Sequence, residues 1–443
     1  MIEQTPNLSN TDIHKAIELL NKPEYSIVLN KIHDEYLYWD KAKYMVPKDV
    51  APDVFWYAIK LKRNMNRMNI VFGNIQFHFT VTGKMQQMLH EFDLNFGGNL
   101  ESGGIIPEKD HKVYLVSSIM EEAIASSQME GASTTRKVAK DMLRKQIKPI
   151  NKSQQMIANN YATIQYLVEH KGEDFSKEAL LNIHHLISTN TLEKTTDEGA
   201  FRTDDSIMVM NNINGEVVHT PPSASDIEGL IVSLCSFANG NSDGPFIHPI
   251  IKGIIIHFML AYIHPFVDGN GRTARSLIYW YLLKNGYWLT EYLSISRVIY
   301  RSKARYEKAF LYTEFDGLDI TYFIMYNLSA MKTAYDELKL YLQRKIKEQQ
   351  DFVAFRGNGL LTERQAQIIR LYCDSPNAIF TAKSLITRFS VNVKTIRCDL
   401  QQLVKQGLLC ESPINKRMVG YVRADGFEDK LKRVYIVFYK EKL

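Results

Sequence analysis

Cysteine is scarce in this chain. Its four residues (Cys235, Cys373, Cys398 and Cys410) are scattered through 443 positions with no Cys-x-x-Cys pair, which argues against a disulfide framework and indicates no zinc site. The first ten residues, MIEQTPNLSN, are polar where a secretory signal would be apolar. No apolar run is long enough to cross a bilayer: the stretch IIKGIIIHFMLAYI before Ile263 is too short and is broken by Lys252 and His257. A cytoplasmic protein with no membrane partner is expected. There is no internal repeat or low-complexity tract, and no Gly-x4-Gly-Lys-(Ser/Thr) phosphate loop. Any phosphate chemistry must therefore use another device.

What is present is length, charge and one dense motif. A chain of 443 residues can bury two or three cores. Its charge is uneven. From Arg356 to Leu443 there are 16 Lys and Arg against 8 Asp and Glu, whereas the rest carries 38 against 41. The basic excess belongs to the C-terminal segment.

The motif is Ile263-His264-Pro265-Phe266-Val267-Asp268-Gly269-Asn270-Gly271-Arg272-Thr273-Ala274-Arg275. His264 is the side chain here whose ordinary pKa lies near neutrality, so it can take a proton from a hydroxyl. Asp268 offers a hard oxygen of the kind Mg²⁺ accepts alongside phosphate oxygens. Gly269-Asn270-Gly271 can adopt the positive-φ angles that turn successive N–H groups inward as an anion nest. Arg272 to Leu283 has helical composition, so that nest would sit at a helix N-terminus. Arg272 and Arg275 share a face of this helix. The apolar run before His264 reads as a buried helix that delivers the imidazole to its end, with His257 packed in the core. A second His-Pro pair, His248-Pro249, has no such context and reads as structural.

The stretch resembles, at every defining position, the motif His-x-Phe-x-(Asp/Glu)-Gly-Asn-Gly-Arg-x-x-Arg of the Fic family, and the likeness extends over roughly residues 110–320. The resemblance implies a mainly α protein, a helical core whose members mostly transfer AMP from ATP to a Ser, Thr or Tyr hydroxyl of a target protein. It implies that His264 is the base and Asp268 the Mg²⁺ ligand. Gly269, Asn270, Gly271, Arg272 and Thr273 would bind phosphate, Arg275 the γ-phosphate, and Phe266 would anchor the loop. Tyr306 would lie on the adenine side. Ser206–Met210 and Glu216–Thr220, flanking Asn211-Asn-Ile-Asn-Gly215, read as a hairpin. By resemblance this segment, about 206–220, is the flap that docks the target strand to strand.

Upstream, Ser126-x-x-x-Glu130-Gly131 lies in a helix-competent run, about 117–131, with Ser126 and Glu130 on one face. It resembles the family's N-terminal inhibitory motif, which implies that Glu130 pairs with Arg275 and takes the γ-phosphate's place. The expected function is thus an autoinhibited adenylyltransferase that acts on a target protein and on itself. AMP removal at the same site, and nucleotide sensing by a DNA-binding regulator, remain open alternatives.

The basic C-terminal segment has its own pattern. A helix opens near Thr362-Glu363-Arg364 and runs to about Cys373, a second spans Thr381–Phe389, Ser390-Val391-Asn392 turns, and a third covers Val393–Gln406 before Gly407. Two strands follow in Leu408–Arg423. This order resembles a winged helix-turn-helix, a small α+β domain. It implies that Lys394, Thr395, Arg397 and Gln401 face DNA, or a protein partner, with Lys416 and Arg417 in the wing. The expected divisions are a helical N-terminal domain at 1–105, the core with its hairpin at 106–330, a connector at 331–360 that is also a candidate dimer contact, and the winged domain at 361–443. Within the connector, Met331–Gln350 reads as a charged helix and Arg356-Gly-Asn-Gly359 as a joint.

Overall fold

The computed structural model describes residues 2–97, 111–210, 215–240, 244–357, 361–374, 378–389, 391–415, 418–427 and 429–431. The flap turn at Asn211–Asn214, Ser390 of the C-terminal turn, and Lys416 and Arg417 of the expected wing lie outside these residues. Two compact units emerge, residues 1–338 and residues 339–443. Both are mainly helical with small antiparallel sheets.

The first unit begins with α1 (Ile13–Asn21), α2 (Pro23–Asp34), α3 (Trp39–Ala42) and α4 (Pro52–Asn64). Asp12 caps α1 by accepting from the His14 N–H, and Pro23 and Pro52 open α2 and α4, where a missing N–H costs nothing. A hairpin follows, β1 (Arg67–Phe72) and β2 (Ile75–Thr80), then α5 (Gly83–Phe96). The segment expected as a helical domain also contains this hairpin. Gly73 takes φ 56 in the turn, and Phe72, Phe77 and Phe79 face a fully buried core. The alternation in Ile75–Thr80 is a period-two pattern that the aromatic content obscures.

A buried network joins this segment to residues 316–322. Arg63, 1% exposed, donates to the Tyr322 hydroxyl at 2.7 Å and to the Leu37 carbonyl at 2.8 Å, and stacks over the Tyr36 ring. The Tyr36 hydroxyl donates to Asp319 at 2.6 Å. The N-terminal helices and the core thus share one interior.

The rest of this unit holds α6 (His111–Met129), α7 (Arg136–Arg144), α8 (Lys152–Glu169) and α9 (Lys177–Ser188). The short strands β3 (Val209–Met210) and β4 (Val217–His219) come next, followed by α10 (Ile227–Ala238), α11 (Pro249–Ile263), α12 (Asn270–Lys284), α13 (Ile295–Arg301) and α14 (Lys303–Phe315). The units divide within α15 (Thr321–Gly357), a single helix longer than the expected Met331–Gln350 segment. It runs through Gly357, and the remainder of the expected joint lies outside the described residues.

Helix α11 is the centre of the core. His248 caps it, its Nδ1 accepting from the Ile250 N–H, and its imidazole also meets Asp93 at 3.1 Å. Residues from Ile250 through Leu260 are buried almost without interruption, so the helix presents no solvent face. His257, inside it, is 1% exposed. Helices α11 and α12 pack together, and Gly253 lets the Tyr281 ring approach to 3.2 Å from where a Cβ would stand.

The second unit contains α16 (Glu363–Asp374), β5 (Phe380–Thr381), α17 (Ala382–Phe389), α18 (Val393–Lys405), β6 (Leu409–Asn415) and β7 (Met418–Arg423). The strands form one antiparallel sheet in the order β5-β7-β6. The short β5 was not read from the sequence. Asn392 caps α18 through the Lys394 and Thr395 amides, and Gly407 ends it at φ 71. Ile396, Leu400 and Leu403 of α18 are buried with Ile368, Ile369, Tyr372 and Leu385.

Candidate active site

The site is built where α11 hands over to α12. Helix α11 ends at His264, whose backbone is left-handed (φ 50, ψ 56). Its Nδ1 lies 3.2 Å from the Ala261 carbonyl. A carbonyl only accepts, so Nδ1 carries the proton and Nε2 of the neutral ring keeps its lone pair. Burial pushes the His264 pKa down to about 4, against smaller upward pulls from Ala261 and Glu130, so the ring is neutral at pH 7.

The following loop closes on itself. The Asn270 side chain accepts from the Phe266 N–H at 2.9 Å and donates to the Phe266 carbonyl at 2.7 Å. Thr273 donates its hydroxyl to the Gly269 carbonyl at 3.0 Å and is fully buried. Both side chains are thus committed to the loop, and the phosphate contact expected of Asn270 would fall to its backbone N–H. Gly269 (φ 85) starts α12, and the Asn270, Gly271 and Arg272 amides that open this helix have no acceptor among the described residues. Phe266 is fully buried and stacks on His184 at 3.6 Å between ring centroids.

Arg272 is 0% exposed, and Nη1 donates to the Ile187 carbonyl at 3.0 Å. Its Nε and Nη2 have no partner among the described residues. Buried guanidinium donors left unpaired beside three free amides describe a place suited to an anion. Asp268 is exposed, and its Oδ1 accepts the Gly269 N–H at 2.6 Å. No cluster of three or more potential metal ligands exists among the described residues, so Asp268 would hold a cation only together with oxygens of a bound substrate.

Arg275, 3% exposed, points from the next turn of α12 toward α6. Nε donates to the Ser126 hydroxyl at 2.9 Å, and Nη2 donates to the Ser126 carbonyl at 2.9 Å and to Glu130 Oε1 at 2.7 Å. Glu130 keeps about a third of its side-chain surface accessible. Burial would raise its pKa, but Arg275 above all, with Arg272 and Lys303, holds it below the usual carboxylate value. Gly131 (φ 91) follows, its N–H donating to the Gln128 carbonyl, while the Ala132 N–H reaches back to Ser127 at 3.1 Å. This is a Schellman closure of α6, which requires Gly or Asn at the left-handed position.

Tyr306, expected on the adenine side, is 8% exposed and lies close to Arg275 and Glu130. Its hydroxyl lies 2.9 Å from His257 Nε2, and its ring meets Phe310, Phe323 and Tyr326.

Three residues that matter to this geometry escaped sequence reading. His184 Nδ1 accepts the Gly199 N–H at 3.1 Å, so its Nε2 donates to the Asp268 carbonyl at 2.8 Å. Arg202 binds the His264 and Pro265 carbonyls, and His219 of β4 lies 2.7 Å from the Tyr262 carbonyl. Each lies far in sequence from the motif, where spacing carries no signal.

In the second unit, Lys394, Arg397, Gln401 and Lys405 lie exposed along α18, and Thr395 is half-buried. Asp399, the acidic residue of this helix, is buried and paired with Arg364.

Residues 174–282 match the Fic/DOC family. Over 69 residues the chain is 39% identical to the "Protein adenylyltransferase Fic" of Nematostella vectensis, covering 16% of each chain. It is 36% identical over 69 residues to the protein of that name from Drosophila grimshawi, covering 16% of this chain and 14% of that one. The match thus spans about one sixth of the length of these curated relatives. A solved Fic family protein from Desulfovibrio desulfuricans G20 shares the fold, with a TM-score of 0.50 and 18% identity over 76% of this chain and 94% of that one. Among the described residues no helix is long and apolar enough to cross a membrane. The family match covers the loop from His264 through Arg275, and the chain therefore carries a Fic domain of the Fic/DOC family at residues 174–282.

Proposed function

We propose that this protein transfers AMP from ATP to a Ser, Thr or Tyr hydroxyl of a target protein, and that Glu130 keeps it weakly active. The observation that carries this reading is the buried Arg272 guanidinium, with two nitrogens unpaired beside the free amides at the head of α12, at the end of the loop that begins at His264. Those donors suit a polyphosphate. His264 Nε2 takes the proton of the hydroxyl, whose oxygen bonds to the α-phosphorus as the bond to the α,β-bridging oxygen breaks. Pyrophosphate leaves with the electron pair. Bound phosphate charge also favours the imidazolium that forms. Asp268 would hold Mg²⁺, which when bound neutralises charge on the phosphate oxygens. Arg275 serves the outermost phosphate only when Glu130 has left it. The open edges of β3 and β4 suit an extended target segment.

The test is label transfer from α-labelled and from γ-labelled ATP by wild type, Glu130→Gly and Glu130→Gly/His264→Ala. Label from the α position alone, strong in the single mutant and lost in the double, is expected. Free AMP without labelled protein would favour hydrolysis, and release of AMP from a modified protein would favour the removal activity.

A second reading concerns residues 361–443, proposed as a winged helix-turn-helix that binds duplex DNA. It rests on α18, where Lys394, Arg397 and Lys405 are exposed with Gln401 while the acidic Asp399 is buried and neutralised. Lys394→Ala/Arg397→Ala should weaken duplex binding by the full chain and flatten its salt dependence by about two phosphate contacts. Absence of salt-dependent binding would assign the face to a protein partner.

A further inference from the structure

Arg202 is 4% exposed and stands just before the flap. Its backbone N–H donates to the Pro265 carbonyl at 2.8 Å, and Nε donates to the His264 carbonyl at 3.0 Å. Nη1 donates to the Asp204 carbonyl at 2.7 Å and to Asp205 Oδ1 at 3.1 Å, and Nη2 donates to the Pro222 carbonyl. One guanidinium thus joins the residue bearing the imidazole, the chain that enters β3 and the chain that leaves β4. Asp205 tightens the same junction: it also accepts from the Ala224 N–H at 2.6 Å and from the Ser223 hydroxyl at 3.1 Å.

A second tie runs from β4 itself. His219 Nε2 lies 2.7 Å from the Tyr262 carbonyl, two residues before His264, and its Nδ1 lies 2.9 Å from Glu314. His264 occupies a left-handed conformation that L-residues rarely adopt, so its surroundings must hold it there. A planar fork of five N–H donors can hold several carbonyls at fixed angles, and a lysine ammonium cannot reproduce that.

We propose that Arg202 is a positioning residue that fixes the strand edges of the flap relative to His264 Nε2, so that a segment paired on the flap presents its hydroxyl to the base. The proposal rests on the transferase reading. It separates two acceptors. A protein hydroxyl needs flap and imidazole in register, whereas water needs the imidazole alone. With water as acceptor its oxygen bonds to the α-phosphorus, His264 takes the proton, pyrophosphate leaves, and free AMP results.

The experiment uses the full chain carrying Glu130→Gly, with Arg202→Lys or Asp205→Asn added, and α-labelled ATP. Protein-bound AMP, free AMP and the number of ATP molecules bound per chain are measured together. Arg202→Lys should lower protein labelling on the order of a hundred-fold, as expected for a small misplacement of reacting groups. Free AMP should fall far less, and the ratio of free to bound AMP should rise at least about ten-fold with one ATP still bound per chain. Asp205→Asn, whose side chain is 62% exposed, should shift the ratio the same way by less, and it decides the matter alone if Arg202→Lys does not fold. A parallel fall in both products, or no change in either, overturns the proposal. If the Glu130→Gly parent makes neither product, the transferase reading falls and the positioning role with it.

Discussion

Gly271 and Glu130 exclude each other's elaboration: a Cβ on Gly271 would overlap Glu130 Oε1 and lie 3.1 Å from Arg275 Nη1. The Glu130 carboxylate thus rests directly against the α12 backbone. A methyl group at 271 should hinder the carboxylate and a phosphate alike. Glu130→Gly/Gly271→Ala should therefore bind ATP more weakly than Glu130→Gly and transfer on the order of a hundred-fold more slowly. Equal rates would show that phosphate does not approach this backbone.

Removing the carboxylate alone takes the anion from Arg275 and leaves its two bonds to Ser126. A charge-assisted hydrogen bond contributes about 1.5–3 kcal/mol, and the partial exposure of Glu130 argues for the lower end. Glu130→Gly should tighten ATP binding by roughly ten-fold, read by calorimetry. Unchanged affinity would remove Glu130 from the regulation.

The helix end that presents Glu130 depends on Gly131. Asn tolerates the left-handed backbone there, and a β-branched residue does not. Nothing lies within 4 Å of where its Cβ would be, so strain rather than crowding decides. Gly131→Asn should keep transfer low, whereas Gly131→Val should raise it toward the Glu130→Gly level. Equal basal rates in both would detach inhibition from the helix end.

The depressed His264 value sets an acid limb. Below about pH 4 the ring is protonated and cannot accept the hydroxyl proton. Loss of Glu130, which pulls the value up, moves the limb lower still. In Glu130→Gly, kcat/KM should stay flat from pH 8 to 5, and a midpoint near 6.5 would contradict a buried base.

Stability should follow acid for a related reason. Burial pushes His184 down to about 4 and His257 down to about 3, while the unfolded chain binds their protons near pH 6.5. Their contribution is complete above pH 6.5 and declines as the pH falls toward 4, by up to about 1.4 kcal/mol per pH unit for each. Urea midpoints should drop between pH 7 and 5, with a shallower drop in His257→Gln. A rise would reverse the assignment.

The sequence made the chemistry legible because the loop is local. His264, Asp268, Gly269, Arg272 and Arg275 lie within one turn and the start of one helix, and the structure keeps them together. Glu130 could be matched to Arg275 across 145 residues only through a family resemblance. Local reading could not foresee that the Asn270 and Thr273 side chains would be consumed by the loop itself. It missed β1 and β2 because aromatic residues mask their alternation, and Arg202 and His184 because their partners are long-range carbonyls.

The two hydrogen bonds between the Asn270 side chain and the Phe266 backbone close the loop from within. A loop already formed gives up little conformational freedom on binding, so affinity is governed by competition for its donors. The competitor is tethered to α6 at fixed local abundance, while ATP is supplied from solution. The apparent dissociation constant is then the intrinsic one divided by the fraction of time that Arg275 stands free. On the proposed reading, ATP occupancy then rises with nucleotide supply against a fixed internal competitor.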